Sequence, residues 1–429
     1  MRNSVVKKIM FYIDVRFVSP VSVSSGNGDA TDGDVLRDYE GKPFIAGSSL
    51  AGAMRSYLNF DKNEKCIFGY GQNRGDDQGK MSSLFMSDLE FTEKARIIVR
   101  DGVGLTEHKT SDTNKKFDME AIDTGVTGRF VMELVIREKD DEADMLGQVY
   151  QALAGIDSRG IRLGNKKTRG YGEMELLAVR MKEYTKENIL EYKDAYDIER
   201  VYEELCDCKE KCLEKTEALE RYINIEVPLK LTGGICIRKY SSKKGEPDMV
   251  HITANGEPVI PGTSFAGAMR SRMKGILKDL FKEYKTEEIE AVMDEIWGYA
   301  HKDNSRKSNV TIAESVIEGA VPVRAVRTGV SRFESSAKDR GLREERIYTK
   351  GHLKLNVHLL NTGKTEWIVA LLLLVIKELQ NGYLSIGGQT AVGRGVFAPD
   401  GEVLMNGKSV DEKEYFEKFL TKMEEGMAC

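Results

Sequence analysis

Two stretches of this chain, PFIAGSSLAGAMRSYL at Pro43–Leu58 and PVIPGTSFAGAMRSRM at Pro258–Met273, carry the residue types from which an anion site is made. Each sets a glycine and two hydroxyl residues at the head of an amphipathic run. Ser48–Ser49 and Thr263–Ser264 fall where helix N-caps are expected, and the free amides of the following turn, with the helix dipole, attract negative charge. Gly47 and Gly262 would let the backbone come close to a ligand. Arg55 and Arg270 recur at the same offset and could reach a phosphate. The plainer reading of either copy alone is a well-capped core helix with a surface arginine; recurrence in two diverged copies weakens it.

A second pair of segments repeats as well. Gly164–Gly172 (GNKKTRGYG) and Gly387–Gly395 (GGQTAVGRG) both place glycine first, seventh and ninth. Lys166, Lys167 and Arg169 stand in one loop and Arg394 in the other, beside backbone with few side chains to block a ligand. Glycine-rich turns are common, so the loops alone say little. Together, two such features per repeat suit a sugar-phosphate backbone better than a mononucleotide. The chain has neither a G-x4-GK[ST] loop nor a strand-G-x-G-x-x-G-helix with a distal acid.

The elements that must position these residues also repeat. Lys8–Phe17 alternates like a strand, Ser49–Leu58 has a helical apolar face, and Gly128–Arg137 alternates again. Tyr222–Leu231, Ser264–Leu277 and Leu353–Leu360 give the same order. A period near 215 residues fits two complete domains in tandem. The expected division is residues 1–182, a charged helical linker at 183–221, a second domain at 222–405 and a tail at 406–429. The linker region, Lys182–Arg221, lacks Gly and Pro and is dense in Glu, Lys, Leu and Tyr, a helix-forming composition that reads either as a helical linker or as the last helical element of the first domain. The fold class expected is α+β, each repeat compatible with a ferredoxin-like βαββαβ core whose open sheet and loops could hold single-stranded RNA.

Composition narrows the functional classes. With 41% hydrophobic and 31% charged residues the chain reads as an ordinary soluble globular protein. Its longest apolar run, Trp367–Ile376, is far short of a bilayer span of roughly 20 residues. No signal-peptide core is legible at the start, so the cytoplasm is the expected location. Cys66, Cys206, Cys208, Cys212, Cys236 and Cys429 indicate no disulfide framework; the CDCKEKC cluster at Cys206, Cys208 and Cys212 could offer thiolates to zinc but lacks an obvious fourth ligand. A net charge of −5 disfavours nucleic acid on the sum. Distribution reverses that, because Val323–Lys354 carries nine Lys/Arg against four Asp/Glu. The histidines His108, His251, His301, His352 and His358 form no recognisable catalytic arrangement.

The run DGDVLRDYEGKPFIAGSSLAGAMR at Asp32–Arg55 resembles the RAMP superfamily, and within it the repeated backbone subunit of type III CRISPR effector complexes. CIFG at Cys66–Gly69 with SSLFMSDLEF at Ser82–Phe91, IWGYA at Ile296–Ala300 with SNVTIAESV at Ser308–Val316, and the final GGQTAVGRG are similar to later family marks. The resemblance covers nearly all of the chain outside the linker and the tail. It implies two modified RNA-recognition folds that grip guide RNA, each with an inserted thumb hairpin, here about Leu105–Thr127 and Thr328–Lys350. Arg332 lies where the family often has Ile-Asp-Arg, although Ser331 replaces the Asp; the first repeat has Glu107-His108 instead.

The family's target cleavage depends on a loop aspartate. Asp32, eleven residues before Pro43, matches it, with Asp29 and Asp34 close by; Asp248, ten before Pro258, is the nearest match in the second repeat. Such an acid could position a 2′-hydroxyl or hold Mg2+ or another divalent cation that stabilises in-line displacement. The implied partners are CRISPR guide RNA, complementary target RNA and other RAMP-type subunits, with no membrane. The alternatives are a non-catalytic RNA-binding subunit of the same particle, or a RAMP-fold protein outside CRISPR immunity.

Overall fold

The computed structural model describes residues 3–24, 26, 28, 31–58, 67–70, 79–105, 111–214, 216–241, 244–300 and 304–426. Cys66, His108, His301, Cys429 and Asp29 therefore lie outside the described residues. The chain divides into two compact units. The first is Met1–Gly104, Ser111–Lys167 and Tyr171–Leu219; the second is Glu220–Cys429 with Thr168–Gly170 and the segment that starts at Leu105.

In the first unit the central strand is β1 (Val5–Phe17). Ile9, Phe11, Ile13, Val15 and Phe17 alternate onto one face and Met10 and Tyr12 onto the other, so the strand is apolar on both sides. β1 pairs antiparallel with β6 (Thr127–Arg137) and β7 (Met174–Tyr184). The short β2 (Leu84–Met86) and β3 (Leu89–Phe91) extend the β6 edge. A two-stranded hairpin of β4 (Ile97–Leu105) and β5 (Ser111–Ile122) projects between them in sequence.

Helices α1 (Gly47–Leu58) and α2 (Glu142–Asp157) cover the inner face. α1 buries Leu50, Met54 and Tyr57, at the i, i+4, i+7 spacing of a helix stripe. Asp141 caps α2, accepting from the Asp144 amide at 3.2 Å. A Cβ on Gly155 would lie 2.4 Å from the Tyr57 ring, so the helix crossing depends on that glycine.

The outer face is covered too. Tyr192, Ala195, Ile198, Val201 and Tyr202 pack over Met10, Tyr12, Val131 and Tyr184, and the Tyr12 hydroxyl donates to the Ala195 carbonyl at 2.7 Å. The open sheet face expected for this repeat is thus closed by the chain itself. The expectation of helix through Lys182–Arg221 is corrected as well. β7 runs to Tyr184, and only a 3-10 turn (Ile189–Asp194), α3 (Ile198–Glu204) and α4 (Lys209–Leu213) follow. Asn188, Asp197 and Asp207 bond nearby backbone amides and restart the chain at each break, as short polar side chains do against helix propagation.

The second unit repeats the inner layer. β8 (Tyr222–Leu231) pairs with β13 (His352–Leu360) and β14 (Phe397–Pro399), and β10 (Val310–Ile312) pairs with β13. α5 (Gly262–Leu280), α6 (Thr286–Trp297) and α7 (Ile368–Gln380) pack on its apolar face. α7 holds most of the apolar run at Trp367–Ile376 and is buried nearly all round because α8 (Glu412–Gly426) lays Phe419 and Met423 on this core. No described helix is long and apolar enough to cross a membrane. β9 (Met249–His251) precedes α5, and the hairpin of β11 (Val321–Val330) and β12 (Ala337–Thr349) lies between β10 and β13 in sequence. β8 alternates strictly, and its outer residues Asn224, Glu226 and Lys230 are polar. Lys354 pairs with Glu226 at 2.8 Å and His358 with Asn224 at 2.7 Å.

Candidate nucleic-acid interface

The two helix starts are built alike. A Cβ on Gly47 would lie 2.6 Å from the Ser87 carbonyl oxygen, and one on Gly262 2.1 Å from that of Ile312. Each glycine is therefore required by a strand end crossing the helix start. The hydroxyl residues are not caps, contrary to the spacing argument: α1 begins at Gly47 and α5 at Gly262, with Pro261 as N-cap, so Ser48, Ser49, Thr263 and Ser264 lie within the first turns. The Ser49 and Ser264 amides bond back to Ala46 and Pro261 at 2.8 and 2.9 Å. In α1 the Gly47 amide donates to the Asp88 carboxylate at 2.8 Å, so part of the positive helix end is already neutralised. Ser48 and Thr263 are exposed.

Arg55 lines an open pocket of about 370 Å³ with Gly47, Ser48, Gly52, Phe68 and Phe85. Arg270 sits at the same offset in α5. Within the second unit the guanidinium of Arg169 lies 5.8 Å from the centre of the Trp297 ring. Burial and then the nearby charge of Arg270 hold the pKa of Arg169 below the usual guanidinium value. Its Nη1 is buried without a hydrogen-bond partner. Two like charges, one of them undersatisfied, favour an anion beside α5.

The two glycine loops share one backbone path. Lys166 and Gln389 are left-handed at φ 52° and 60°, and Gly170 and Gly393 at 80° and 79°. Their side chains do different work. The Lys166 ammonium stands 3.6 Å from the centre of the Phe117 ring, and burial lowers its pKa to about 8. Lys167 and Arg169 share a 3-10 turn. Arg394 is not a phosphate ligand as the loop composition suggested: it is 3% exposed and holds Glu345 at 2.6 Å. An arginine spent on a buried carboxylate has no reach to solvent. Arg332 is exposed near the tip of the β11–β12 hairpin, on whose strands Arg324, Arg327, Lys338, Arg340 and Arg343 also stand.

The candidate aspartates lie at matching places. Asp32 is exposed, and its carboxylate accepts from the Asp118 amide at 3.0 Å while that of Asp118 accepts from the Asp32 amide at 3.1 Å. This reciprocal clasp fixes the loop to the base of the β4–β5 hairpin. Asp34 is buried and bonds Thr31, which separates it from Asp32 in role. Asp248 is exposed and leads directly into β9, which lies parallel to β12. Asp118 was invisible in the sequence, one acid in an alternating FDME strand with no motif around it.

Cys208 and Cys212 have sulfurs 3.8 Å apart, and the hydrogen bond from Cys212 lowers the Cys208 thiol to about 7. No cluster of three metal-ligating side chains occurs among the described residues. A zinc site at Cys206, Cys208 and Cys212 has no support there. Mg2+ is less demanding, since one or two carboxylates suffice when water and phosphate complete its shell. Asp32 and Asp118 are neighbouring carboxylates, each bonded to the other's backbone amide.

The sequence model of the RAMP superfamily matches residues 14–175 and again 196–398, one match per repeat. The chain belongs to the RAMP superfamily. It carries the RAMP domain twice, as mixed α/β units with antiparallel sheets. RAMP proteins are in general CRISPR-associated and bind RNA, which suits paired helix starts, arginines and a basic hairpin on one chain. No curated protein matches the sequence.

Proposed function

We propose that this tandem RAMP protein is a guide-RNA-binding backbone subunit of a type III-like CRISPR effector, and that it cleaves complementary target RNA at Asp32 and Asp248. The observation that carries this reading is the equivalent setting of the two acids, each exposed in a loop laid along the base of a long hairpin. A hairpin that wedges between guide and target bases would leave a kinked target strand beside that base. The sheet order β3-β6-β1-β7 in one unit and β10-β13-β8-β14 in the other supports a ferredoxin-like core.

Guide backbone would run past Ser48, Ser49 and Arg55 in one unit and Thr263, Ser264, Arg270 and Arg169 in the other, with Arg332 on the hairpin. Asp32, with Asp118 behind it, would hold Mg2+, which supplies charge stabilisation to the displaced oxygen. Asp32 itself would orient the attacking 2′-hydroxyl. Other RAMP-type subunits would complete the particle, in the cytoplasm.

The reading is tested with guide-loaded particle, labelled complementary RNA and Mg2+. Asp32→Ala and Asp248→Ala are each expected to remove one distinct cut, by at least about 100-fold in rate, as loss of an essential catalytic group does. A second reading, a scaffold that does not cut, draws on the Asp32–Asp118 clasp, which gives Asp32 a purely structural use. Cleavage unchanged in the double variant would remove both aspartates from the chemistry; tight target binding without any cut in the unsubstituted protein would leave the scaffold.

A further inference from the structure

Two of the cysteines touch, and the functional reading uses neither. Cys208 stands at the start of α4 and Cys212 lies one turn on within it, so the helix sets both thiols on the same side. Their sulfurs are 3.8 Å apart, and both are free. Cys208 is half-buried and within reach of a small reagent. Cys212 is 3% exposed and belongs to the inner core, with Leu213 packed against that core beside it. Cys206, just before the pair, is exposed.

The surroundings hold one thiol still and give the two unequal chemistry. The Cys208 amide and thiol both donate to the Val179 carbonyl, at 2.7 and 3.2 Å, and the Asp207 carboxylate accepts from the Val179 amide at 2.9 Å. The Lys209 ammonium reaches the Leu176 carbonyl and Asp157, each at 2.6 Å. Cys208 is thus pinned to the edge strand β7. The hydrogen bond from Cys212 favours the thiolate at Cys208, while that same bond and burial keep the proton on Cys212. A thiolate attacks an oxidant, and a thiol in contact with it can close on the product.

We infer that Cys208 and Cys212 form a reversible redox-modification site, at which a hydroperoxide converts the dithiol to a disulfide. The Cys208 thiolate attacks a peroxide oxygen, so that an S–O bond forms and the O–O bond breaks; with hydrogen peroxide the hydroxide released takes a proton and leaves as water. The Cys212 sulfur then attacks the Cys208 sulfur, and the sulfenic oxygen departs with the Cys212 proton as a second water. Two thiols are oxidised and one peroxide is reduced to two waters. The geometry makes this bond labile. Cβ atoms one helical turn apart are about 5–6 Å from each other, against about 3.5–4.5 Å in a relaxed disulfide, so closure deforms α4. With Cys208 pinned, Cys212 is the residue that moves, and Leu213 on the inner core moves with it. A strained bridge is readily reduced by a thiol such as glutathione, which suits a switch and not a staple. The inference does not rest on RNA binding or cleavage.

The test treats reduced full-length protein with a small excess of hydrogen peroxide at neutral pH, then alkylates the remaining thiols and maps the peptides by mass. The expected product is a Cys208–Cys212 bridge that glutathione removes, formed at least about fivefold faster than Cys206 is oxidised. In a chain carrying Cys206→Ser and Cys212→Ala the reaction should halt at a sulfenic acid on Cys208, which dimedone labels. Cys208→Ala should leave Cys212 unlabelled. A Cys206–Cys208 bridge in the unsubstituted protein would overturn the proposal, as would sulfinic acid on Cys208 with Cys212 still free, or oxidation of Cys208 no faster than of Cys206. These outcomes need no variant, so a substitution that unfolds the chain does not shield the proposal.

Discussion

The two units solve the same construction problem with opposite chemistry at two places. Behind the glycine loop, the first unit packs Tyr171 with Ile98, Met119 and Ala121. The second sets Arg394 and Glu345 there, paired at 2.6 Å and both nearly buried, with Gln389 adding a bond to Glu345 at 2.7 Å. Register equates Met119 with Glu345 and Tyr171 with Arg394. On the outer sheet face, Tyr12 of β1 is buried beneath the chain that follows β7, whereas the equivalent Glu226 of β8 faces Lys354 in the open. An inherited fold therefore fixes where the backbone goes and leaves open whether apolar packing or charge pairing holds it.

The largest expected difference lies on the outer face. Tyr12→Ala should cost about 5 kcal/mol, the upper end for truncating a buried aromatic, because its hydrogen bond to Ala195 goes with it. Glu226→Ala should cost about 0–1 kcal/mol, as an exposed ion pair does. Urea unfolding read by circular dichroism decides it; similar costs would erase the contrast. At the loop, Arg394→Ala should destabilise by about 3 kcal/mol by taking from the buried Glu345 its shortest ion pair and leaving it Gln389 and the longer pair to Arg238, while Glu345→Met with Arg394→Tyr, the first unit's solution, should be neutral or stabilising. A double variant as damaged as the single one would show that the pair is not exchangeable for apolar packing.

Acid should separate the units next. His251 donates from Nε2 to the Val259 carbonyl at 2.9 Å and accepts at Nδ1 from the Ile237 amide at 3.0 Å, so it is held neutral, and burial lowers its pKa to about 4. Protonating it would break the Ile237 bond. The unfolded chain takes up this proton near pH 6.5 and the folded one only near 4. Stability is thus full above 6.5 and falls by about 3 kcal/mol as the pH drops through that window. The first unit has the apolar Val35 at the equivalent place. Both tryptophans, Trp297 and Trp367, lie in the second unit, so their fluorescence follows it alone. Trp emission that changes no earlier than the overall circular dichroism on acid titration would refute the difference.

The smallest effect is at Lys166. Its pKa in the folded chain, about 8, lies below the ordinary lysine value because of burial, so folding opposes its charge at neutral pH. Stability should rise as the pH climbs from 8 towards 10.5, and Lys166→Met should abolish that rise in a denaturant series run at several pH values.

The sequence made the inner layers legible because strand and helix periods are set by burial on one face. Tyr222–Leu231 is read off to the residue, and α1 and α5 are missed by only two or three residues at their ends. What it concealed was pairing at a distance. Nothing local marks Arg394 as bound to Glu345, Asp118 as the companion of Asp32, or Asp88 as the carboxylate at the α1 start. The helical expectation after Lys182 failed because composition measures propensity, whereas apolar residues at Tyr192, Val201 and Tyr202 were recruited by a sheet face lying far earlier in the chain.

That recruitment also bears on how the gene can be divided. The sequence repeat ends near residue 182, yet a half-protein cut there would lose Tyr184 and bare Met10, Tyr12 and Val131 to water, offering them to its neighbours as an adhesive face. A cut after Leu219 keeps the cover with the half that needs it. The stretch that looks like mere spacing between two copies is in effect the outer wall of the first.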